Sequence, residues 1–517
     1  MSNKQIDSVR LIIYLISFIS LVIQLFVFEN NNDLYCIFII FFSNILTTFY
    51  CLNKKYFFKY PISLLMIFIS YFINLGGALF FKSFEFTLIT EKLDLPLSTI
   101  LILTTINITI ILSHSLYRKI NESTKTNKIN NFLIKIDFFK IGDVKFLYFL
   151  SFIVVASKLF FFDLNRTISA QGEFGYNPNL FQDIVNGLKY VIYLPVVIFF
   201  SKSLFEIDHV PKKYFFFILF LLSIAFISLS RSNRSILFDC FLLSAIVVFI
   251  LILFDRINLK KNFFIKLILL PLLIIPSFNI IENLSKQFVT ERSLYMERTP
   301  IENVKSFIEN AFSKKNNNLY LEKKYLSDQI FFSENYYKSS LFNRANILHI
   351  HDNFNYIDKN ISNVKLDKLK EIQINKTISI LPQPIINIFS HNFNKQDVVH
   401  FSTASFLYGN LEYGGGTLNI GSAIMTMYII FGYWIFIILF IFFIPVFIFM
   451  DSFYDKQKMI FSPYIIIFFY STSGGILNFI SATELSFWLN LIFRIIPQTF
   501  IIIIIAKFAY NKFLKKI

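Results

Sequence analysis

The chain is 517 residues long with a formal net charge of +16; hydrophobic residues make up 55% of it and charged residues only 16%. That charged share is well below the roughly 25% of soluble domains, and no water-soluble core hides so much apolar surface. The positive balance does not point to nucleic acid either: the basic residues fall mostly in short connections between apolar runs, where they set membrane orientation.

A helix crosses the hydrocarbon core with about 20 apolar residues, because its backbone hydrogen bonds close internally. In chain order, such runs cover 9–28, 34–52, 60–81, 96–115, 146–163, 187–204, 214–230, 235–254, 263–282, 422–450, 460–479 and 485–507. The first run lacks a small-residue cleavage site and reads as a retained anchor. Pro195 interrupts the sixth, and the 422–450 run is the broadest. Cys36, Cys51 and Cys240 lie in or beside apolar runs without metal-ligand spacing, so neither a disulfide framework nor a metal is expected.

The connections give the orientation. Lys54, Lys55 and Lys59 follow the second run, and Arg118, Lys119, Lys125, Lys128, Lys135, Lys140 and Lys145 fill the link after the fourth. Lys212 and Lys213, then Arg256, Lys260 and Lys261, then Lys456 and Lys458 follow the sixth, eighth and tenth, and Lys512, Lys515 and Lys516 close the chain. All fall on one side if there are twelve spans with both termini cytoplasmic, while alternate links such as Glu29–Asp33 are poorer in Lys and Arg. The expected fold is an all-α polytopic membrane protein with about twelve transmembrane helices. It divides into a membrane domain at 1–282 with about nine helices, a large extracytoplasmic loop at 283–420, and about three further helices at 421–517. The loop carries apolar residues at helical spacing in Ile301–Phe312 and Val364–Ile374, separated by Asn-rich stretches such as Lys314–Asn318. A connection of that length is usually functional or disordered, and its aromatic content favours a packed, mainly helical cap. No internal repeat is evident.

The most informative short segment is Ser230-Arg231-Ser232-Asn233-Arg234-Ser235, the whole connection between two long apolar runs. Two arginines in a short outer link oppose the orientation signal, so another requirement must favour them. Guanidinium groups bind phosphate oxygens in a planar, bidentate way, which suits a lipid-linked pyrophosphate. The plainer alternative is that they snorkel to ordinary headgroups. Asp239 lies about a turn deeper in the next run, and Arg494 is expected to be buried in the last. Ionisable groups at such depth are paired with each other or functional. Arg166, in another outer link before Gly172, Glu173, Gly175 and Tyr176, is a candidate third guanidinium.

The end of the large loop runs from His400 through Glu412, Tyr413 and the triplet Gly414-Gly415-Gly416 to Gly421. The glycines permit close approach of a ligand, and Glu412 or His400 could deprotonate a hydroxyl. His349, His351 and Asp352 form another cluster, without the further ligands that a metal site needs; taken singly, solvated loop histidines are the commoner case. The chain has no Walker A loop, dinucleotide fingerprint or zinc-protease helix, so no cofactor is expected. The first outer link also lacks the adjacent acidic pair of metal-dependent, lipid-phosphosugar-using transferases.

Taken together, the pattern resembles the bacterial O-antigen and polysaccharide repeat-unit polymerases over about residues 140–450. The likeness rests on many spans, cytoplasmic termini and one large outer loop late in the chain. Locally it rests on Arg231 and Arg234 in a Ser/Arg-rich junction, on Arg344, and on Leu381-Pro382-Gln383-Pro384, with Gln383 where many relatives carry a basic residue. The passage from Glu412-Tyr413 to Gly421, with Phe431-Gly432 after it, is similar to the family's approach to the next helix. The resemblance implies glycosyl transfer at the outer face of the bacterial cytoplasmic (inner) membrane. The donor is a glycan on undecaprenyl pyrophosphate and the acceptor a lipid-linked repeat unit, in O-antigen (lipopolysaccharide), capsule or exopolysaccharide synthesis. Arg231, Arg234 and either Arg166 or Arg344 would hold the pyrophosphate, with Glu412 or His400 as base and no metal. A chain-length regulator and a flippase are the partners such an enzyme would work beside. The rival readings are an O-antigen ligase or other lipid-linked glycosyltransferase, which uses the same donor, and a polysaccharide transporter or lipid flippase. The latter usually shows matching halves and polar broken helices near mid-membrane, neither of which is evident here.

Overall fold

The computed structural model describes residues 4–123, 128–136, 138–139, 144–160, 192–199, 213–230, 234–254, 300–310, 336–339, 342–381, 386–388, 393, 403–408, 421–465, 488–489, 493–494, 496–510 and 512. The first part of the chain folds as α1 (Lys4–Val27), α2 (Asn31–Cys51), α3 (Lys54–Phe57), α4 (Pro61–Tyr71), a π-helical turn (Phe72–Gly76), α5 (Gly77–Phe84) and α6 (Pro96–Ser123). After these come α7 (Lys128–Lys135), α8 (Val144–Phe160), α9 (Leu194–Phe199), α10 (Lys213–Ser230) and α11 (Arg234–Leu253). The hydrophilic segment contributes α12 (Pro300–Asn310), α13 (Phe342–Ala345), α14 (Leu348–Asn360), α15 (Asn363–Ile378) and α16 (Thr403–Leu407). The chain ends with α17 (Ala423–Phe431), α18 (Ile435–Asp451) and α19 (Ile496–Ala509). Among the described residues the β-structure is one antiparallel pair, Tyr454–Asp455 with Ile460–Phe461.

This is an all-α membrane protein. Five of the described helices are long and apolar enough to cross a bilayer: Gln5–Val27, Asn31–Cys51, Pro61–Phe84, Pro96–Glu122 and Trp434–Asp451. Their outward faces carry bare apolar side chains such as Phe18, Phe42 and Ile441, as lipid requires. The expected runs at 146–163, 214–230 and 235–254 are present as α8, α10 and α11, and Pro195 stands in the first turn of α9, where its missing N–H is harmless. The expected span at 263–282 and most of 460–479 lie outside the described residues.

The broad 422–450 run is corrected: it is two helices. Gly432 has φ +55° and ψ −137°, a conformation that a side chain disfavours, and it ends α17 after nine residues. A 3₁₀ turn at Gly432–Trp434 then leads into α18. Only the second piece is long enough to span.

At the centre stands α6, which packs along α18 and also against α2, α4 and α14. Both α4 and α6 open with proline, and each start is secured from a distant part of the chain. At one end of the bundle, Asp451 at the close of α18 accepts the Ser63 amide at 3.1 Å, the Ser63 hydroxyl at 2.6 Å and the Tyr117 hydroxyl at 3.0 Å. His114 Nε2 lies 2.9 Å from the same serine oxygen, and Tyr50 meets its Nδ1 at 2.8 Å. At the other end, Asn30 and Asp33 form a capping box for α2. There Asp33 also accepts Thr90 Oγ1 at 2.6 Å, tying in the link between α5 and α6.

Asp451→Ala would strand the Ser63 amide and the Tyr117 hydroxyl inside the bundle, while the Ser63 hydroxyl could still donate to Tyr60 O at 3.2 Å. The expected loss is about 3 kcal/mol, from a cost of roughly 1–3 kcal/mol for each buried group left unpaired and partial relaxation around the gap. Asp451→Asn keeps an acceptor oxygen and should lose clearly less. Thermal unfolding of the purified protein in nanodiscs measures both, and equal losses for the two variants would show that the cap is not the source of the stability.

Candidate functional site

Buried polar side chains gather where the hydrophilic segment meets the third membrane helix. That helix changes from α to π between Phe72 and Gly76. A π turn shifts the ladder to i→i+5 and turns carbonyls toward neighbours, a feature often found at functional sites. Here Phe72 O accepts the Gly77 amide and also Asn346 Nδ2 at 3.2 Å, while Ile73 O accepts the Ile347 amide at 3.0 Å. The glycine at 76 is required by close approach. A Cβ there would meet Asn44 Oδ1 and Tyr71 Cε1, both at 2.5 Å.

Within the π turn, Asn74 Nδ2 donates to Ser70 O at 2.9 Å, which leaves its Oδ1 to accept from His351 Nε2 at 2.8 Å. His351 Nδ1 then accepts from Ser422 Oγ at 2.8 Å, and Ser422 Oγ in turn accepts the Met425 amide at 3.0 Å as the N-cap of α17. The donor directions fix one tautomer, with the proton on Nε2. His351 is fully buried, and burial, with His349 nearby, lowers its pKa to about 3. This corrects the expectation of a solvated loop histidine: His349, His351 and Asp352 are all buried.

Asp352 secures the entry to α6. Its carboxylate accepts the Asp94 amide at 2.6 Å, the Leu95 amide at 3.2 Å and Thr99 Oγ1 at 2.7 Å, and Thr99 Oγ1 also accepts Asn355 Nδ2 at 2.8 Å. Burial raises the Asp352 pKa above the ordinary carboxylate value, against the opposing pull of these bonds. Beside it, Lys82 of α5 is 1% exposed, with its ammonium 4.1 Å from the centre of the Tyr336 ring and 5.7 Å from that of Tyr337. Tyr336 donates to Ile89 O at 2.6 Å, Tyr337 donates to Asn346 Oδ1 at 2.9 Å, and Phe342 stacks on Phe81 at 4.5 Å. Glu85 closes the seam by accepting the Lys338 and Ser339 amides at 3.0 and 2.9 Å.

The same helices anchor stretches that border the sequence-derived candidates. Lys365 Nζ donates to Leu407 O and Gln373 Nε2 to Thr403 Oγ1, each at 2.8 Å, so α15 holds α16. Tyr408 meets Phe354 edge-on at 5.9 Å, and Ser422 bonds His351. The two ends of the 409–420 passage therefore rest within one turn of each other on α14. Glu412, Tyr413 and His400 themselves, like Arg166 and Arg231, lie outside the described residues. Arg234 opens α11, Asp239 lies in its second turn and Arg344 lies in α13; their side chains are outside the described set. Arg494, like Phe493 at 70% exposed, lies on the outside of the protein just before α19.

Chemically, the junction is a scaffold. Both nitrogens of His351 are engaged, its pKa is far below neutrality, and so it is neither a base at pH 7 nor a free metal ligand. Among the described residues no three His, Cys, Asp or Glu side chains gather as a metal site. The Ser63–His114–Asp451 group is no nucleophilic triad, because Ser63 hands its proton to Asp451 and takes one from His114. Sequence reading missed Asn74, Lys82, Asn346 and Ser422. The available signals were an asparagine and a Gly-Gly pair inside an apolar run, and a lysine at its end. No protein-family model, no curated protein and no solved structure matches the chain.

The buried neutral histidine sets a pH dependence. With a folded pKa of about 3 against 6.5 unfolded, the unfolded state binds the extra proton across that window. Stability therefore falls as pH drops below 6.5, by about 1.4 kcal/mol per pH unit. Asp352, with its pKa raised above 3.8, has the opposite slope, confined to the acid end. Melting temperatures of wild type and His351→Gln between pH 7.5 and 5 isolate the histidine, since Asp352 is common to both. The variant should show the shallower slope; parallel slopes would mean that His351 is not neutral in the fold.

Proposed function

We propose that this protein is a glycosyltransferase that polymerises lipid-linked oligosaccharide repeat units at the outer face of the bacterial cytoplasmic membrane. In this reading it has about twelve spans and cytoplasmic termini, and residues 283–420 lie outside. The observation that carries the reading is the docking of α13–α16 onto the membrane helices. A lipid-linked substrate must be met at the membrane edge by polar groups held rigidly there. Support also comes from α11, whose helix starts at Arg234: its N-terminal amides favour anions beside the arginine pair.

The chemistry follows from those residue types. An acceptor hydroxyl attacks the anomeric carbon of the donor glycan, forming one C–O bond as the C–O bond to undecaprenyl pyrophosphate breaks. The hydroxyl proton passes to Glu412 or His400. Negative charge grows on the departing pyrophosphate, where Arg231 and Arg234, with Arg166 or Arg344, stabilise it in a site of low dielectric. No metal is needed for that balance.

The test is the surface-glycan ladder of cells lacking the gene and complemented with variants. Deletion should leave a single repeat unit attached, and Arg231→Ala with Arg234→Ala should fail to restore the ladder at normal expression. Glu412→Gln should cut polymer by about 10²- to 10⁴-fold if it is the base, with His400→Ala as the alternative. Loss of all attached glycan on deletion would instead favour a ligase or flippase, and full activity of the double arginine variant would reduce the pair to headgroup anchors.

A further inference from the structure

We infer that Asn74 and His351 form a positioning node for this transfer, an inference that rests on the polymerase reading above. Three stretches far apart in the chain meet at the π turn. The first is the turn itself, with the turned-out carbonyls of Phe72 and Ile73. The second is Asn346-Ile347, which bonds both carbonyls directly after the helix that contains Arg344. The third is Ser422, tied through His351 to Asn74 directly after the passage that contains Glu412. The Phe72 carbonyl keeps its bond from the Gly77 amide and accepts Asn346 as well, so the π turn ties the hydrophilic segment to this helix without losing its own ladder. The irregular turn thus sets the register of the two stretches relative to each other.

The physics favours a rigid link. Each donor and acceptor in the path from Ser70 O through Asn74, His351 and Ser422 to the Met425 amide is matched, so a shift of one member strands its neighbours inside the protein. Asn74 and His351 are positioning residues, since neither is argued to touch substrate. Ordinary interhelical polar glue would also be buried and bonded. What distinguishes the node is that it couples two separate stretches of backbone.

The experiment combines backbone hydrogen exchange in nanodiscs with the glycan ladder, using Asn74→Ala, His351→Ala and His351→Gln. Glutamine can donate to Asn74 and accept from Ser422 through one amide, so it serves as the rescue. Both alanine variants should raise exchange about tenfold in peptides covering 343–356 and 420–431 alike. They should lower long-chain glycan by about ten- to a hundredfold at unchanged protein level, as small misplacements of reacting groups do. His351→Gln should stay near wild type in both. Exchange that rises only in the peptide bearing the substitution overturns the node, and so does a full ladder despite loosening of both peptides. If His351→Ala does not accumulate, Ser422→Ala, which removes the bonds to His351 Nδ1 and to the Met425 amide, takes its place, and the rise in the 343–356 peptide is then the one that decides. If gene deletion itself leaves the ladder unchanged, the polymerase reading fails. The exchange measurements then decide the coupling alone: a coupled rise upholds it and a local rise overturns it.

Discussion

Two helices of the bundle start with proline, and buried aspartates from elsewhere in the chain secure both starts. One acts through the Ser63 amide in the first turn of α4 and the other through the Asp94 and Leu95 amides just before α6. Asp352 secures the entry to α6 from the hydrophilic segment, and Asp451 caps α4 from the end of α18. Because α6 runs through the middle of the bundle, its tie to Asp352 fixes more than one terminus. It holds α14 against the membrane helices, and with α14 comes everything that α14 carries. An ionised carboxylate near a helix N-terminus is favoured by the dipole as well as by the bonds it accepts. The two aspartates sit at opposite ends of the bundle and act as paired anchors.

From that anchor the rest of the junction follows. With α14 in place, His351 reaches the π turn, the turned-out carbonyls find Asn346 and Ile347, and Lys82 rests against the Tyr336 ring. The His351–Asn74 bond is fully buried, and both nitrogens of His351 are matched. Such a network is unforgiving, since a half-satisfied version would be worse than an apolar seam. It is suited to hold a loop in register and poorly suited to do chemistry through His351, which is neutral and engaged at both ring nitrogens. The reacting groups must therefore come from the stretches it holds, which is the logic of the proposed transfer.

Much of the membrane architecture was legible in the sequence, because a lipid-facing helix must show a long apolar run whatever packs beside it. The runs at 9–28, 34–52, 60–81 and 96–115 correspond to four of the helices long enough to cross a bilayer. The 422–450 run misled, since hydropathy does not register the backbone conformation that Gly432 adopts. The His349–Asp352 cluster looked like loop residues because a hydrophilic neighbourhood carries no mark of what will cover it.

What the sequence by itself determined was the class of solvent, the positions of four helices long enough to cross a bilayer and the residue types from which a phosphate-binding reading could be built. These depend on composition and on local spacing, which are properties of the chain. The tertiary structure alone decided that Asn74 faces His351, that Asp352 secures the entry to a helix more than two hundred residues away, and that α14 holds both borders of the 409–420 passage. Such partnerships are set by which buried donors and acceptors come within about 3 Å of one another once the helices have packed, and no local pattern encodes that meeting.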